Sequence, residues 1–195
     1  MIITYHGGNY FKIQSGEISF LIDPLNQRAF KGAAVAINTI KPSAVDFSDS
    51  SNGACFWIDH QGEYEKNGIH ISGWSIGNEN GIEKTAYLVD FDDVKFAILG
   101  HATGELPKDF IERFEGTDVM IVPAGGKPFI AQAELARFIR QIEPSIIIPS
   151  LFSDIGLFLK EFNGQDKPRA EEKFVFKKKD LTSGAMEIKH LEDKK

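Results

Sequence analysis

Cysteine is nearly absent from this chain: Cys55 is the single one among 195 residues. An internal disulfide is therefore excluded, and so is a zinc site built on paired thiolates. Basic charge is also short. Lys and Arg number 22 against 28 Asp and Glu, for a formal net charge of −6. Nucleic-acid binding draws heavily on Lys and Arg at phosphates, so no nucleic-acid partner is expected. Long apolar runs are missing as well. The runs present are strand-length, far short of the ~20 residues a membrane helix needs. The opening MIITYHGGNY has no basic stretch followed by an apolar one, as a secretory signal would. These absences predict a cytoplasmic protein in a reducing compartment, with no membrane partner.

What the chain has in excess is phenylalanine, at 16 residues. Hydrophobic residues make up 42% and charged residues 26%, a balance that suits one domain, 1–195, with a substantial core. So many large rings predict layered packing, between sheets or between helix and sheet.

The first part reads as strands cut by glycine turns: MIITYH, GGN, YFKIQ, SG, EISFLID. AAVAIN (33–38) is a candidate buried strand, and 39–53 reads as a loop rich in Ser, Asp and Pro. ACFWID resumes the strands. Asn67-Gly68 is the strongest short hairpin signal, and a second hairpin turns at Phe91-Asp92-Asp93. After His101 the character changes to alternating helix and strand. ELPKDFIERF reads as a helix with Pro107 in its first turn. IAQAELARFIRQIE carries Leu135, Phe138, Ile139 and Ile142 on one stripe. SDIGLFLKEFNG reads as a third helix, with Ser153 as N-cap and Gly164 as terminator. DVMIVP and SIIIP are buried strands, and KFVFKKKDL with AMEIKHLE reads as a closing strand pair.

These pieces, in this order, resemble the metallo-β-lactamase-fold superfamily, in its small stand-alone hydrolase-like branch. The resemblance runs from ITYHGGNYFKIQSGEISFLIDP through IDHQGEYEKNGIHISG, KTAYLVD and FAILG to TDVMIVPAGGKPFIAQAELARFIRQIEPSIIIP. It implies an α/β fold, a four-layer αβ/βα sandwich. It also implies a binuclear metal site, usually zinc, between the sheets at one edge. The implied chemistry is hydrolysis by a metal-bound hydroxide.

The metal ligands that the resemblance implies are missing from this sequence. An H-x-H-x-D-H loop should follow AAVAIN, and Thr39, Lys41, Ser43 and Ala44 stand there. A second register offers only Asp46 and Asp49. The mid-chain segment SIGNENGIEK, which should form a His-bearing loop, has no His. Ser150 stands where a His should follow the SIIIP strand, and His101 stands where the bridging Asp belongs. One imidazole among Thr, Ser and Ala cannot hold zinc tightly, and an ammonium repels it.

The expected function is therefore non-catalytic: a binding or scaffold protein with no metal and no cofactor. Its residual cleft, around Thr39, Lys41, Ser43, His101 and Ser150, takes a small polar ligand, or the chain binds a protein partner. The alternative is a hydrolase with a reduced zinc site around His101, which requires Asp23, Asp49 or Asp59 to converge on that ring. Two side readings accompany these. Ser150 and His101 form a nucleophile and base, or Lys41 meets a carboxylate such as Asp23 in place of the metal charge. Against them stand plainer readings: His101 on a backbone carbonyl, Ser150 capping a turn, Lys41 exposed. A homo-oligomer is a third reading, which an exposed apolar patch at Trp57, Trp74 or Phe152 would support.

Overall fold

The computed structural model describes residues 1–45, 55–162 and 168–194. Strands β1 (Ile2–Tyr5), β2 (Phe11–Ser15) and β3 (Ile18–Ile22) form an antiparallel meander. Next come β4 (Val35–Ile37), β5 (Ile40–Lys41), β6 (Phe56–Ile58), β7 (Gly62–Lys66), β8 (Ile69–Glu79), β9 (Ile82–Phe91) and β10 (Val94–Ile98). The rest alternates: α1 (Phe110–Arg113), β11 (Val119–Pro123), α2 (Gln132–Ile142), β12 (Ile146–Ser150), α3 (Gly156–Lys160), β13 (Phe174–Val175) and β14 (Glu187–Ile188).

Two sheets result. The first has the order β13-β1-β2-β3-β4-β6, and the second β14-β12-β11-β10-β9-β8-β7 with β5 paired onto β9. Period-2 alternation places Phe20, Ile22, Val35 and Ile37 of the first sheet against Val89, Phe91, Phe96 and Ile98 of the second. Phe20 stands edge-on to both Phe91 and Phe96, at 5.8 Å each. Each such ring, fully buried, contributes about 1.5–3 kcal/mol. The excess of phenylalanine is thus spent partly between the sheets and partly under the helices, where Phe110, Phe114, Phe138, Phe158 and Phe162 lie. The far face of the first sheet is covered by a 3₁₀ turn, Gln27–Phe30, whose Phe30 packs on Trp57. The layers are those of an αβ/βα sandwich, with one helical layer reduced to that turn among the described residues.

Both predicted hairpins form. Asn67-Gly68 has φ 54° and 75°, and Asp92-Asp93 has φ 53° and 62°, the left-handed pair that matches strand twist. The stripe on α2 is buried as its spacing predicts. Other expectations are corrected. SIGNENGIEK is not a loop but the tip of the β8–β9 hairpin, turning at Asn80-Gly81. The stretch from 39 is not all loop, because Ile40 and Lys41 pair with Lys84 and Glu83; Asp46, Asp49 and Gly164 lie outside the described residues. Only Phe110–Arg113 of ELPKDFIERF is helical. Ser153 caps nothing; Asp154 Oδ1 accepts from the Gly156 N–H at 2.9 Å instead. The two C-terminal strands do not pair with each other: β13 joins β1 and β14 joins β12. Each finds a partner on a sheet edge already built, a better template than another two-residue strand.

Trp57, Trp74 and Phe152 are half-buried and pack against the apolar clusters. They form no exposed patch of the kind the oligomer reading asked for. No helix among the described residues is long and apolar enough to cross a membrane.

Candidate functional site

Parallel strands in a sheet end together, and side chains just past those ends share one rim. Here β3, β4 and β6 run parallel in the first sheet, and β10, β11 and β12 in the second. Asp23 follows β3, Thr39 follows β4, and His101 follows β10. The rim brings these three into one hydrogen-bonded cluster.

Asp23 is its centre. It is buried at 8% exposure and holds φ at 42°, a left-handed conformation that Asp tolerates better than most residues. Three donors reach its carboxylate. The Thr39 backbone N–H donates to Oδ1 at 2.6 Å and the Thr39 hydroxyl to Oδ2 at 2.5 Å. The Asn9 side-chain amide donates to Oδ2 at 2.6 Å. His101 lies alongside, with Nδ1 at 2.8 Å from the Thr39 hydroxyl oxygen and 3.5 Å from Asp23 Oδ2. The plainer expectation for His101 is corrected here: its partner is the Thr39 hydroxyl, not a backbone carbonyl.

Local backbone makes the approach feasible. Gly100 has φ 50°, and a Cβ there would lie 2.3 Å from Thr39 Cβ. Only glycine lets the end of β10 turn at this point with Thr39 against it. The Thr39 carbonyl accepts from the Thr85 N–H at 2.9 Å, tying the first sheet's rim to β9.

Burial pushes the Asp23 carboxyl above the usual carboxylate range, although His101, Asn9 and Thr39 all pull it down. Burial pushes the His101 imidazole down, against the pull of Asp23 and with a further push from the Lys84 ammonium. Lys84 is itself buried. Its Nζ donates to Glu79 Oε2 at 2.7 Å and to Thr103 Oγ1 at 2.8 Å, and Thr103 donates to Glu79 Oε1 at 2.7 Å. This triangle fastens the β8–β9 tip to the loop after His101.

The other expected residues stand apart. Lys41 is half-exposed and pairs with Asp59 at 3.4 Å, not with Asp23. Asp59 also meets His60 at 2.7 Å; burial raises its carboxyl, and the hydrogen bond from His60 together with the Lys41 ammonium outweighs that and holds it low. Ser43 donates to the Val45 carbonyl at 2.7 Å. Ser150 is fully buried as the last residue of β12 and donates to the Val122 carbonyl at 3.2 Å, while its own carbonyl accepts from Ala124. It continues the strand ladder and caps no turn, and its hydroxyl is engaged by the Val122 carbonyl. Of the three carboxylates proposed to converge on His101, Asp23 does, Asp59 does not, and Asp49 lies outside the described residues. Asn9, Lys84, Glu79 and Thr103 were missed. Asn9 had a weak signal in its place after Gly7-Gly8; a lysine in an alternating strand gives none.

The zinc that the resemblance implies does not fit these residues. Zinc takes N, S or carboxylate donors at about 2.0–2.3 Å. Among the described residues no group of three His, Cys, Asp or Glu side chains could hold a metal. Asp23 and His101 are adjacent at the rim, and both already bond to Thr39.

Comparison with known proteins agrees with the architecture. A family model described as a beta-lactamase superfamily domain matches residues 2–150. A proposed Zn-dependent hydrolase of the metallo-beta-lactamase superfamily from Thermotoga maritima superposes with a TM-score of 0.73 at 17% identity, covering 98% of this chain and 99% of that one. The metallo-beta-lactamase fold protein YhfI from Bacillus subtilis gives 0.64 at 11% identity, covering 82% and 90%. Igni18, a metallo hydrolase from Ignicoccus hospitalis, gives 0.62 at 15% identity, covering 90% and 99%. No curated protein matches the sequence.

Proposed function

The chain belongs to the beta-lactamase superfamily, and from that premise we propose that it has lost the metal-ligand set and works as a binding protein, not as a hydrolase. The observation that carries this reading is the saturation of Asp23. Its three short hydrogen bonds come from Thr39 and Asn9, and the Thr39 hydroxyl also engages His101. A metal drawing on Asp23 and His101 would have to break that network, and the remaining family positions hold Thr39, Lys41, Ser43, Ala44 and Ser150. The rim beside His101 then takes the small polar ligand.

A second reading rests on one distance. Asp23 Oδ2 and His101 Nδ1 are 3.5 Å apart, two donors side by side that a single metal ion could recruit after rearrangement. Elemental analysis separates the two. Untagged protein, purified without chelator, is incubated with zinc, manganese and iron. The binding reading expects less than about a tenth of an equivalent of each and no thermal shift on metal addition. Near one equivalent of tightly held metal would overturn it in favour of the reduced hydrolase site.

A further inference from the structure

We propose that His101 Nε2 is the ligand-contacting atom at this rim, fixed as a hydrogen-bond acceptor by Thr39, and that the ligand is a neutral molecule offering a hydroxyl or amide N–H. This rests on the binding reading above and names the chemistry of that site.

The argument begins with proton count. A threonine hydroxyl has one proton and two lone pairs. Thr39 gives its proton to Asp23 Oδ2 at 2.5 Å. With Asp23 ionised, as its three donors and the neighbouring imidazole favour, the 2.8 Å contact with His101 has Nδ1–H as donor and Thr39 Oγ1 as acceptor. A neutral imidazole protonated on Nδ1 carries its lone pair on Nε2. The side chain of His101 is 21% exposed, and no described residue bonds to Nε2. The ring therefore presents an acceptor at the rim, with its orientation set by a buried carboxylate acting through a hydroxyl. Thr39 is the positioning residue and Asp23 the anchor behind it.

Charge narrows the ligand. An anion at Nε2 would face the Asp23 carboxylate across the ring and meet a lone pair with no proton to offer. A cation would lose hydration where burial already disfavours positive charge on the imidazole, against the pull of Asp23 and with a further push from the Lys84 ammonium. Lys84 is itself satisfied by Glu79 and Thr103, so it does not seek an anion at the rim. A neutral N–H or O–H donor meets neither objection.

The test has two parts. In protein labelled with ¹⁵N histidine, long-range ¹H–¹⁵N spectra report which ring nitrogen of His101 bears the proton at pH 7.5. The expected result is Nδ1–H with an unprotonated Nε2; an Nε2–H ring overturns the proposal. Acetamide, acetate and methylammonium, matched in size, are then titrated against the Nε2 signal. Acetamide is expected to bind at least about tenfold more tightly than either ion. No response to acetamide, or equal or tighter binding of an ion, overturns it. Thr39→Val should abolish the tautomer preference and Thr39→Ser retain it; if the valine variant fails to fold, the wild-type tautomer still decides. An Nε2–H ring in metal-free protein defeats this proposal alone, whereas metal uptake defeats the binding reading beneath it.

Discussion

Replacing Thr39 by valine keeps the volume of a fully buried side chain and removes one oxygen. That oxygen donates to Asp23 Oδ2 and contacts His101 Nδ1. A hydrogen bond to a charged group is worth about 1.5–3 kcal/mol, and a partner left unsatisfied in a buried place costs about 1–3 kcal/mol more. The backbone N–H of residue 39 and the Asn9 amide still reach Asp23, so the carboxylate is not abandoned. A net loss of about 3 kcal/mol follows. With an unfolding entropy of roughly 2 cal/mol/K per residue, a chain of this length would melt about 7 °C lower. Thr39→Ser keeps the oxygen and loses a methyl, at about 1 kcal/mol. The assay is urea unfolding followed by tryptophan fluorescence, alongside calorimetry. The order wild type, serine, valine is the expected one. A valine variant within 0.5 kcal/mol of wild type, or more stable than the serine variant, would refute the claim that the Thr39 hydroxyl anchors the buried Asp23 carboxylate.

Gly100→Ala puts a Cβ 2.3 Å from Thr39 Cβ at a positive φ; a loss of about 2–4 kcal/mol is expected by urea unfolding, with a shifted His101 ring signal. Tyr87→Phe removes a buried hydroxyl that donates to the Asn38 carbonyl at 3.0 Å and lies 3.3 Å from that of His60. It should cost about 1–3 kcal/mol without changing the His101 tautomer. Lys84→Met removes the amine that holds Glu79 and Thr103. Because Glu79 is exposed and can turn to water, the global loss should stay near 1 kcal/mol, while hydrogen exchange at 76–83 accelerates at least about tenfold. Unchanged exchange there would show that the triangle does not fasten the hairpin tip.

Local features of the fold were legible where chemistry acts over a few residues. Asn67-Gly68 announces a left-handed turn because those residues accept positive φ, and Leu135, Phe138, Ile139 and Ile142 announce a buried helix face by their spacing. The segment after His101 misled because a helix-like composition at 105–109 runs along the surface, where the Pro107 and Lys108 carbonyls accept only three-residue turn bonds, and the helix proper is Phe110–Arg113. The two C-terminal strands were visible as strands, but their partners were not, since pairing of β13 with β1 spans almost the whole chain. The site was half legible. Which residues stand at the family's ligand positions, Thr39, Lys41, Ser43, Ala44, His101 and Ser150, could be read from single positions. The bond between Thr39 and His101 could not, because 62 residues and two sheets separate them. Lys41 was weighed as the replacement charge because of its position, yet the buried lysine beside His101 is Lys84, brought there by the β8–β9 hairpin.

Why the fold tolerates such residues at its rim follows from where the apolar burial lies. The core between the sheets and the core under α1, α2 and α3 are built from alternating strand residues and helix stripes, and neither includes Thr39, Asp23 or His101. Ligand positions can therefore change without removing a core side chain. What cannot change freely is Asp23, because a buried carboxylate without partners costs several kcal/mol. In a metal-bearing relative, a nearby cation could help to offset that cost. Here Asn9 and Thr39 offset it with three hydrogen bonds, and His101 adds its ring through the same hydroxyl. Under the binding reading, building a metal site here would take more than histidines at 39, 41 and 44. A histidine at 39 would remove the hydroxyl that joins Asp23 to His101, so the new ligands and the old anchor would have to be rebuilt together.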